Sequence, residues 1–488
     1  MASWSKLLTS KKQQEDRRLL TLMQSKYDTL QENEQEAQKA AQELTQLLEE
    51  FLSPLLVALD RLLDKRLIRT LVQVCVVIIR FRNQKQGLLL SEMGSYMDGY
   101  QGLSRSAPAG TKRISNLLRS LKWSILQIDD YLLKEADKEV KRLKTQGKRI
   151  LCPWDDSVVE KPESRVSEGL CPVTSSKAKR LQRNQKGLVF NFPPTKPITV
   201  AGMQWTAALI TGMEGRVSVA LMSWWSTRGD YAMKLRDQQE AMLRKCVRQW
   251  GDLLLHIFDR GYASGPWLQV LQSLKIHFVI RWKKGHFFFD AKGEKKKLWQ
   301  IGQGKKYLAH KEIYDIHTGE KMPCDIWWAP LWHPDYLYQL YLVKVRVRKK
   351  VWYLITNEPI KKEEQAWEIV FAYRRRWQIE LSFRYGKCEL GMESPRLWSF
   401  ESRLKLLGIV TLVYAFLLHL LNFDYHHLIS LILHLRCHRT GKRCREAIAP
   451  LYRLRWAISR LWDDYHPALG TLFSPNVQTL QVLSLKRG

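Results

Sequence analysis

The stretch "YRRRWQIELSFRYGK", Tyr373 to Lys387, sets one glutamate among four arginines and a closing lysine. Read as a helix at about 100° per residue, with Tyr373 at zero, it places Arg376 at about −60°, Glu380 at about −20° and Lys387 at about −40°. Arg384 borders that strip at about +20°. Ala372, Ile379, Phe383 and Leu390 form an apolar stripe beside it, which predicts that this side packs inward. The polar strip is then expected to face a partner or a cleft. Taken alone, the stretch fits a solvated face laced with i,i+4 pairs such as Arg376 with Glu380. The rest of the chain supplies a reason to ask for more.

Among 488 residues there are 79 Lys and Arg against 48 Asp and Glu, a net charge of +31. Such an excess favours a polyphosphate partner over a small neutral substrate. Nineteen tryptophans among these cations suit stacking on bases as well as packing. The eight cysteines include no C-x2-C pair and fit free thiols in a reducing, cytoplasmic setting. His434, Cys437, His438 and Cys444 cluster, but their spacing matches no strong zinc template, so helix packing and phosphate contacts are expected there. The N-terminus lacks the basic start and apolar core of a signal peptide. The apolar run Leu406 to Phe423 has nearly the length of a membrane span, yet it stands alone between basic flanks. It reads as a buried core helix, and no membrane partner is expected.

Residues 10–65 read as helix with a break at Pro54. Short helices with glycine turns follow, ending in a basic helix around Lys112–Lys122, an arrangement like a helix-turn-helix. From Lys148 the period changes to that of strands: "RILCPWDDS", "MQWTAALITGM" and "RVSVALMSWWS". A helix over 230–250, the strand "LLLHIFDRGY", a helix at Pro266–Leu274 and the strand "HFVIRWKK" come next. The order β, β, β, α, β, α, β, insertion, α is that of an α/β, ribonuclease-H-like catalytic core. The expected division is a helical DNA-binding region (1–145), a first core part (146–285), a β-rich insertion (286–350), a second core part (351–425) and a basic helical C-terminal region (426–488). One long helix is expected to carry Glu380.

Acids fall on the first strand (Asp155 and Asp156), at the end of the fourth (Asp259) and on the helix after the insertion (Glu380). Three carboxylates brought together repel unless a cation compensates. Mg²⁺ suits such an all-oxygen site, and two ions roughly 4 Å apart can activate a nucleophile and stabilise the leaving oxygen of a phosphodiester. Adjacent residues on a strand point to opposite faces, so only one of Asp155 and Asp156 should reach the ions.

Tyr373, two residues, Arg376, three residues, Glu380, six residues, Lys387 resembles the Y-R-E-K signature of bacterial insertion-sequence DDE transposases of family four. "FDRGY" resembles that family's second-aspartate motif and "WDDSVVEKPES" its first, and the similarity runs from about Lys148 to Leu397. The resemblance implies a transposase that cleaves and transfers DNA strands, with a hairpin intermediate, using two Mg²⁺ ions for which Mn²⁺ can substitute. It implies Asp155, Asp259 and Glu380 as the metal-binding, catalytic carboxylates, with Asp156 the alternative to Asp155; "DDS" fits the family's Asp-x-Ser/Thr when Asp155 is taken. Tyr373, Arg376 and Lys387 match residues that contact terminal phosphates. Trp352 matches a tryptophan that stacks on a flipped base, although a core-strand aromatic would look the same. Arg384 and Arg260 are added as basic neighbours on the DNA side. The implied partners are double-stranded DNA, as transposon ends and target, and a second protomer in a homodimer. A junction nuclease without strand transfer and a non-catalytic DNA-binding derivative are the competing readings.

Overall fold

The structure, a computed structural model, describes residues 33–81, 85–98, 107–164, 166–175, 198–314, 320–348, 350–436 and 451–467. Helix α1 spans 33–60 and runs straight through Pro54, where a break was expected. Pro54 lies on the exposed side, so the N–H it lacks weakens only the solvent face. Phe51, Leu52, Leu55 and Leu59 stay buried on either side of it and hold the helix together. The part of that expected helix before residue 33 lies outside the described residues. Helix α2 (Lys65–Arg80) starts at Asp64, whose Oδ1 accepts from the Arg66 and Leu67 amides at 2.9 and 3.0 Å. Helices α3 (Leu90–Asp98) and α4 (Ala107–Arg119) then cross, and α5 (Leu126–Thr145) leads to the sheet.

The sheet begins with β1 (Ile150–Glu160), β2 (Cys171–Thr174), β3 (Thr199–Thr211) and β4 (Val217–Trp225). Strand β1 does not stop at its acids but continues to Glu160, because β3 pairs with it that far, Glu160 opposite Gly202. The short β2, not expected from the sequence, pairs with Thr199–Gly202 of β3. Helix α6 (Leu235–Trp250), β5 (Leu254–Phe258), α7 (Gly265–Ser273) and β6 (His277–Arg281) follow. Strands β4, β3 and β1 are antiparallel neighbours, while β1, β5 and β6 run parallel. The ladder between β1 and β5 ends at Pro153 opposite Ile257. Pro153 has no N–H to donate to a further rung, and the two strands part just before their acids.

Strands β7 (Phe287–Phe289) and β8 (Lys295–Lys297), the single-turn α8 (Leu298–Ile301), and β9 (Ala309–Tyr314), β10 (Lys321–His333), β11 (Tyr336–Val347) and β12 (Lys350–Thr356) extend the same sheet. The join is β12 lying antiparallel on β6, with Leu354 opposite Arg281. After β12, the expected long helix is two: α9 (Glu363–Arg375) and α10 (Trp377–Cys388). At Arg376 the backbone tightens to i→i+3 bonds, Arg376 N to Tyr373 O and Ile379 N to Arg376 O, each 3.1 Å. The apolar stripe does face inward, with Ala372, Ile379, Phe383 and Leu390 all buried.

Helices α5, α6 and α7 cover one sheet face through Leu143, Leu243, Cys246, Trp267 and Leu268. Helix α9 covers part of the other through Trp367 and Val370. Helix α11 (Phe400–His419) is long and apolar enough to cross a membrane, but nearly all of it is buried in the protein. Helices α1, α2, α4 and α13 (Leu451–Asp464) pack on it, and α3 and α12 (His426–Arg436) join the same core. His434 lies on α12, while Cys437, His438 and Cys444 fall outside the described residues.

Buried cations fasten this helical layer by capping helix C-termini. Arg455 donates to Ile79 O at 3.1 Å and Phe81 O at 3.0 Å, at the end of α2. Lys405 donates to Ser120 O at 2.7 Å, just past α4. Both supply donors for carbonyls that no helical N–H can reach.

Gly110 of α4 lies against the backbone of α3: a Cβ there would stand 2.5 Å from Gly94 O. Gly→Ala in a free helix ordinarily stabilises by roughly 0.5–1 kcal/mol. Here Gly110→Ala is expected to destabilise by about 1–3 kcal/mol, because the two helices must move apart. Urea unfolding of the two chains decides it, and a more stable Ala variant would disprove the close crossing.

Candidate active site

Continuing the β1–β5 register two residues beyond Pro153 and Ile257 brings Asp155 and Asp259 side by side where the strands diverge. Such crevices, at the carboxyl ends of parallel strands, are where open α/β sheets place their sites. Asp259 follows β5 and caps a short 3₁₀ turn, its Oδ1 accepting from the Arg260 amide. Helix α10 crosses β1 and carries Glu380 toward the same space. Between the carboxylates lies the Arg376 guanidinium: Nη1 donates to Asp155 Oδ2 at 2.7 Å and Nη2 donates to Glu380 Oε1. The Arg376 side chain is 13% exposed, that of Asp155 16% and that of Glu380 36%. Among the described residues, no three His, Cys, Asp or Glu side chains are drawn closely enough together to enclose an ion. The donor set is nonetheless all oxygen, and its net negative charge already accommodates a cation in Arg376, which fits a hard divalent ion.

Burial raises the Asp155 carboxyl to about 7; Arg376 opposes the rise, while the nearby charges of Asp259 and Glu380 add to it. The Asp155 Oδ1 also accepts from the Asp156 amide at 2.9 Å. Two residues on, and on the same face, Ser157 accepts from Lys387 Nζ at 2.9 Å. Arg376 and Lys387 of the expected strip therefore both meet β1.

Asp156 faces the other way. Its carboxylate accepts from Thr206 Oγ1 at 2.6 Å and from Gln239 Nε2 at 2.6 Å, tying β1 to β3 and α6. Trp225 Nε1 donates to the same Thr206 hydroxyl at 3.1 Å. The period of two along β1 thus separates the neighbouring acids: Asp155 joins the carboxylate group and Asp156 fastens the opposite helix.

Tyr373 departs from its expected place. It is 5% exposed rather than displayed on a polar face, because Trp352 packs beside it with ring centroids 6.0 Å apart. Its phenol is raised mainly by burial and senses the charges of Arg376, Arg281 and Asp259. Trp352 is half-buried, with the Arg281 guanidinium 5.7 Å from its ring. Arg384 and Arg260 are exposed and stand at the margin.

Arg281 was missed by sequence reasoning, although it closes the parallel strand "HFVIR" at the end where a site is expected. Arg236 was missed as well. It holds the turn after Asp259, donating to Gly261 O at 3.0 Å with its guanidinium 5.4 Å from the Trp267 ring. Nothing in its helical context marks that role.

A search of the curated proteins returns no match. Residues 236–416 match the family model described as the transposase DDE domain, a stretch that includes Asp259, Arg281, Trp352, Arg376 and Glu380 and ends before the C-terminal helices; the match supports a DDE transposase acting on DNA.

Proposed function

We propose that the protein is a transposase of the family-four, Y-R-E-K type, which cuts transposon ends through a hairpin intermediate and joins them to target DNA. The observation that carries this reading is the convergence of Asp155, Asp259 and Glu380 around one cation, in a chain that matches the DDE domain. The ribonuclease-H-like reading of the core is supported by the strand order β4-β3-β1-β5-β6, antiparallel then parallel.

Asp155, Asp259 and Glu380 would hold two Mg²⁺ ions, which supply an activated oxygen nucleophile and neutralise the leaving 3′ oxygen. The chain's own groups do the rest. Lys387 and Arg384 on α10 bring positive charge beside the carboxylates, where a phosphodiester lies while it is cut. Arg281 adds a guanidinium beside the Trp352 ring and near the Tyr373 phenol. The Trp352 ring, half-buried on its strand, offers one face to a base drawn out of the duplex, which stacking repays at about 1–3 kcal/mol. In the reaction, water adds to phosphorus and a 3′-OH leaves. That hydroxyl then attacks the opposite strand's phosphodiester, closing a hairpin and freeing the flanking strand with a 3′-OH; a second water reopens the hairpin and restores the 3′-OH that joins target DNA. A dimer would present two such sites to the two transposon ends.

The decisive experiment incubates the protein with the DNA flanking its own gene and Mg²⁺. Asp259→Ala and Glu380→Ala are expected to abolish cutting while DNA binding, spread over many phosphates, persists. Asp155→Asn should be inactive, whereas Asp156→Asn should still cut and melt at a lower temperature, since it loosens Gln239 and Thr206. Cutting by Asp155→Asn together with an inactive Asp156→Asn would exchange their roles.

Trp352→Ala is expected to nick normally and to form hairpin roughly 10- to 100-fold more slowly, as about 1.4 kcal/mol is worth tenfold. End-labelled DNA on a denaturing gel reads both steps. Equal loss of nicking and hairpin would return Trp352 to a purely structural part.

Without divalent ions, Asp155→Asn should be more stable than the native chain. The folded Asp155 value of about 7 lies above its ordinary 3.8, so its ionisation penalises folding. The penalty is complete above pH 7 and disappears as pH falls toward 4. The gain in melting temperature should shrink over that window; a gain that grew on acidification would contradict the assignment.

A further inference from the structure

We infer that Arg376 couples metal loading to DNA engagement: it occupies the oxygens of Asp155 and Glu380 that a divalent ion needs, and gives them up when a DNA phosphate takes its guanidinium. This rests on the carboxylate assignment proposed above and adds an order of events to it.

The geometry is that of a competitor. Nη1 engages Asp155 Oδ2 at 2.7 Å and Nη2 engages Glu380 Oε1, so one planar group links two carboxylates 225 positions apart in the chain. Asp259, the third carboxylate, and the Tyr373 ring, 6.0 Å away, are its other neighbours. A guanidinium and a divalent ion repel, and the two compete for the lone pairs of Asp155 Oδ2 and Glu380 Oε1. Arg376 must therefore leave, at least in part, for an ion to bridge Asp155 and Glu380.

Its alternative partner is defined by chemistry. The five donors of a guanidinium match a phosphate as well as a carboxylate, both through paired N–H···O bonds. Arg376 sits at the junction of α9 and α10, and swinging its side chain to a phosphate breaks no backbone hydrogen bond of either helix. Exposed Arg384 and the Lys387 ammonium lie along the same helix, so an arriving phosphate comes within its reach. Each group finds a partner of opposite charge: a phosphate replaces the carboxylates on Arg376, and the divalent ion replaces Arg376 on the carboxylates. By linkage, DNA must raise metal affinity by the same factor that metal raises DNA affinity. An enzyme built this way holds its carboxylates closed to ions until a strand is in place, which limits unwanted cutting.

The test is Mn²⁺ binding by the full-length chain, read by electron paramagnetic resonance of the free ion. The native protein alone is expected to bind Mn²⁺ weakly. Arg376→Gln alone should bind on the order of tenfold more tightly. A duplex from the DNA flanking the gene should tighten Mn²⁺ binding by the native chain about as much, and leave Arg376→Gln nearly unchanged. Arg376→Lys, which keeps the charge but not the fork, should fall between. Unchanged or weaker Mn²⁺ binding by Arg376→Gln overturns the proposal, as does a native affinity indifferent to the duplex, a measurement that needs no variant at all. Glu380→Gln separates the two readings. If it removes Mn²⁺ binding while Arg376→Gln behaves like the native chain, the coupling fails alone; if it leaves Mn²⁺ binding intact, the carboxylate assignment fails.

Discussion

Like charges brought together in a partly buried crevice need a cation among them, and in this protein the Arg376 guanidinium is that cation. Much of the surrounding architecture can be read as what is required to bring it there. Strand β1 must carry Asp155 past the end of its ladder with β5, and the missing N–H of Pro153 ends that ladder in the right place. Helix α10 must cross β1 closely enough for Arg376 and Lys387 both to reach it, and the buried Ile379 and Phe383 hold it down. The raised Asp155 carboxyl is the electrostatic residue of this compromise: even with an arginine beside it, burial near two other carboxylates favours its neutral form.

The sheet divides the labour of its polar groups. On one face Asp155 and Ser157 meet α10; on the other Asp156 holds Thr206 and Gln239. A one-residue slip of β1 would exchange the faces, leaving a lone acid against the apolar side of α6 and the carboxylate group without its first member. The length of the β1–β3 ladder, which continues to Glu160, guards against that slip. The net charge of +31 is divided in the same way. Arg403, Lys405 and Arg455 are buried and bind backbone carbonyls, so part of the basic excess holds helices rather than facing solvent.

What was legible in the sequence follows from which forces leave a periodic trace. The alternation in "MQWTAALITGM" and "RVSVALMSWWS" marks β3 and β4, and the 3.6-residue stripe of Ala372, Ile379, Phe383 and Leu390 marks the inward side of α9 and α10. The ends of elements were less readable. Pro54 looks like a break, but the buried residues flanking it outweigh one missing hydrogen bond. The tightened turn at Arg376 involves two i→i+3 bonds and no unusual residue, so nothing in composition announces it. Tyr373 shares a helical strip with Arg376 by geometry, yet its exposure depends on Trp352, 21 residues earlier and on strand β12. Pairings of that kind belong to the tertiary structure. Arg281 and Arg236 were missed for the same reason: each acts through a ring or carbonyl distant in sequence.

The β-rich segment before the glutamate makes a last physical point. Sequence reading separates it from the core at residue 350, but the sheet itself has no seam there. Strand β12 pairs on one side with β11 over Tyr341–Val347 and on the other with β6 at Val279–Arg281. Because Leu354 lies opposite Arg281, Trp352, two residues away on the same face of β12, is carried to the edge of the crevice, where its ring meets Tyr373 and the Arg281 guanidinium. The position of that indole is therefore set by backbone hydrogen bonds shared between the inserted strands and the parallel core. In the turn between the antiparallel β10 and β11, Asp335 lies so close to the start of α7 that a Cβ on Gly265 would stand 1.8 Å from its Oδ2. Helix α7 follows directly on the turn capped by Asp259. The β-rich segment thus borders the crevice from two sides, through the β11 pairing that holds Trp352 on β12 and through the turn between β10 and β11 at α7, and a displacement of its strands would be felt at both.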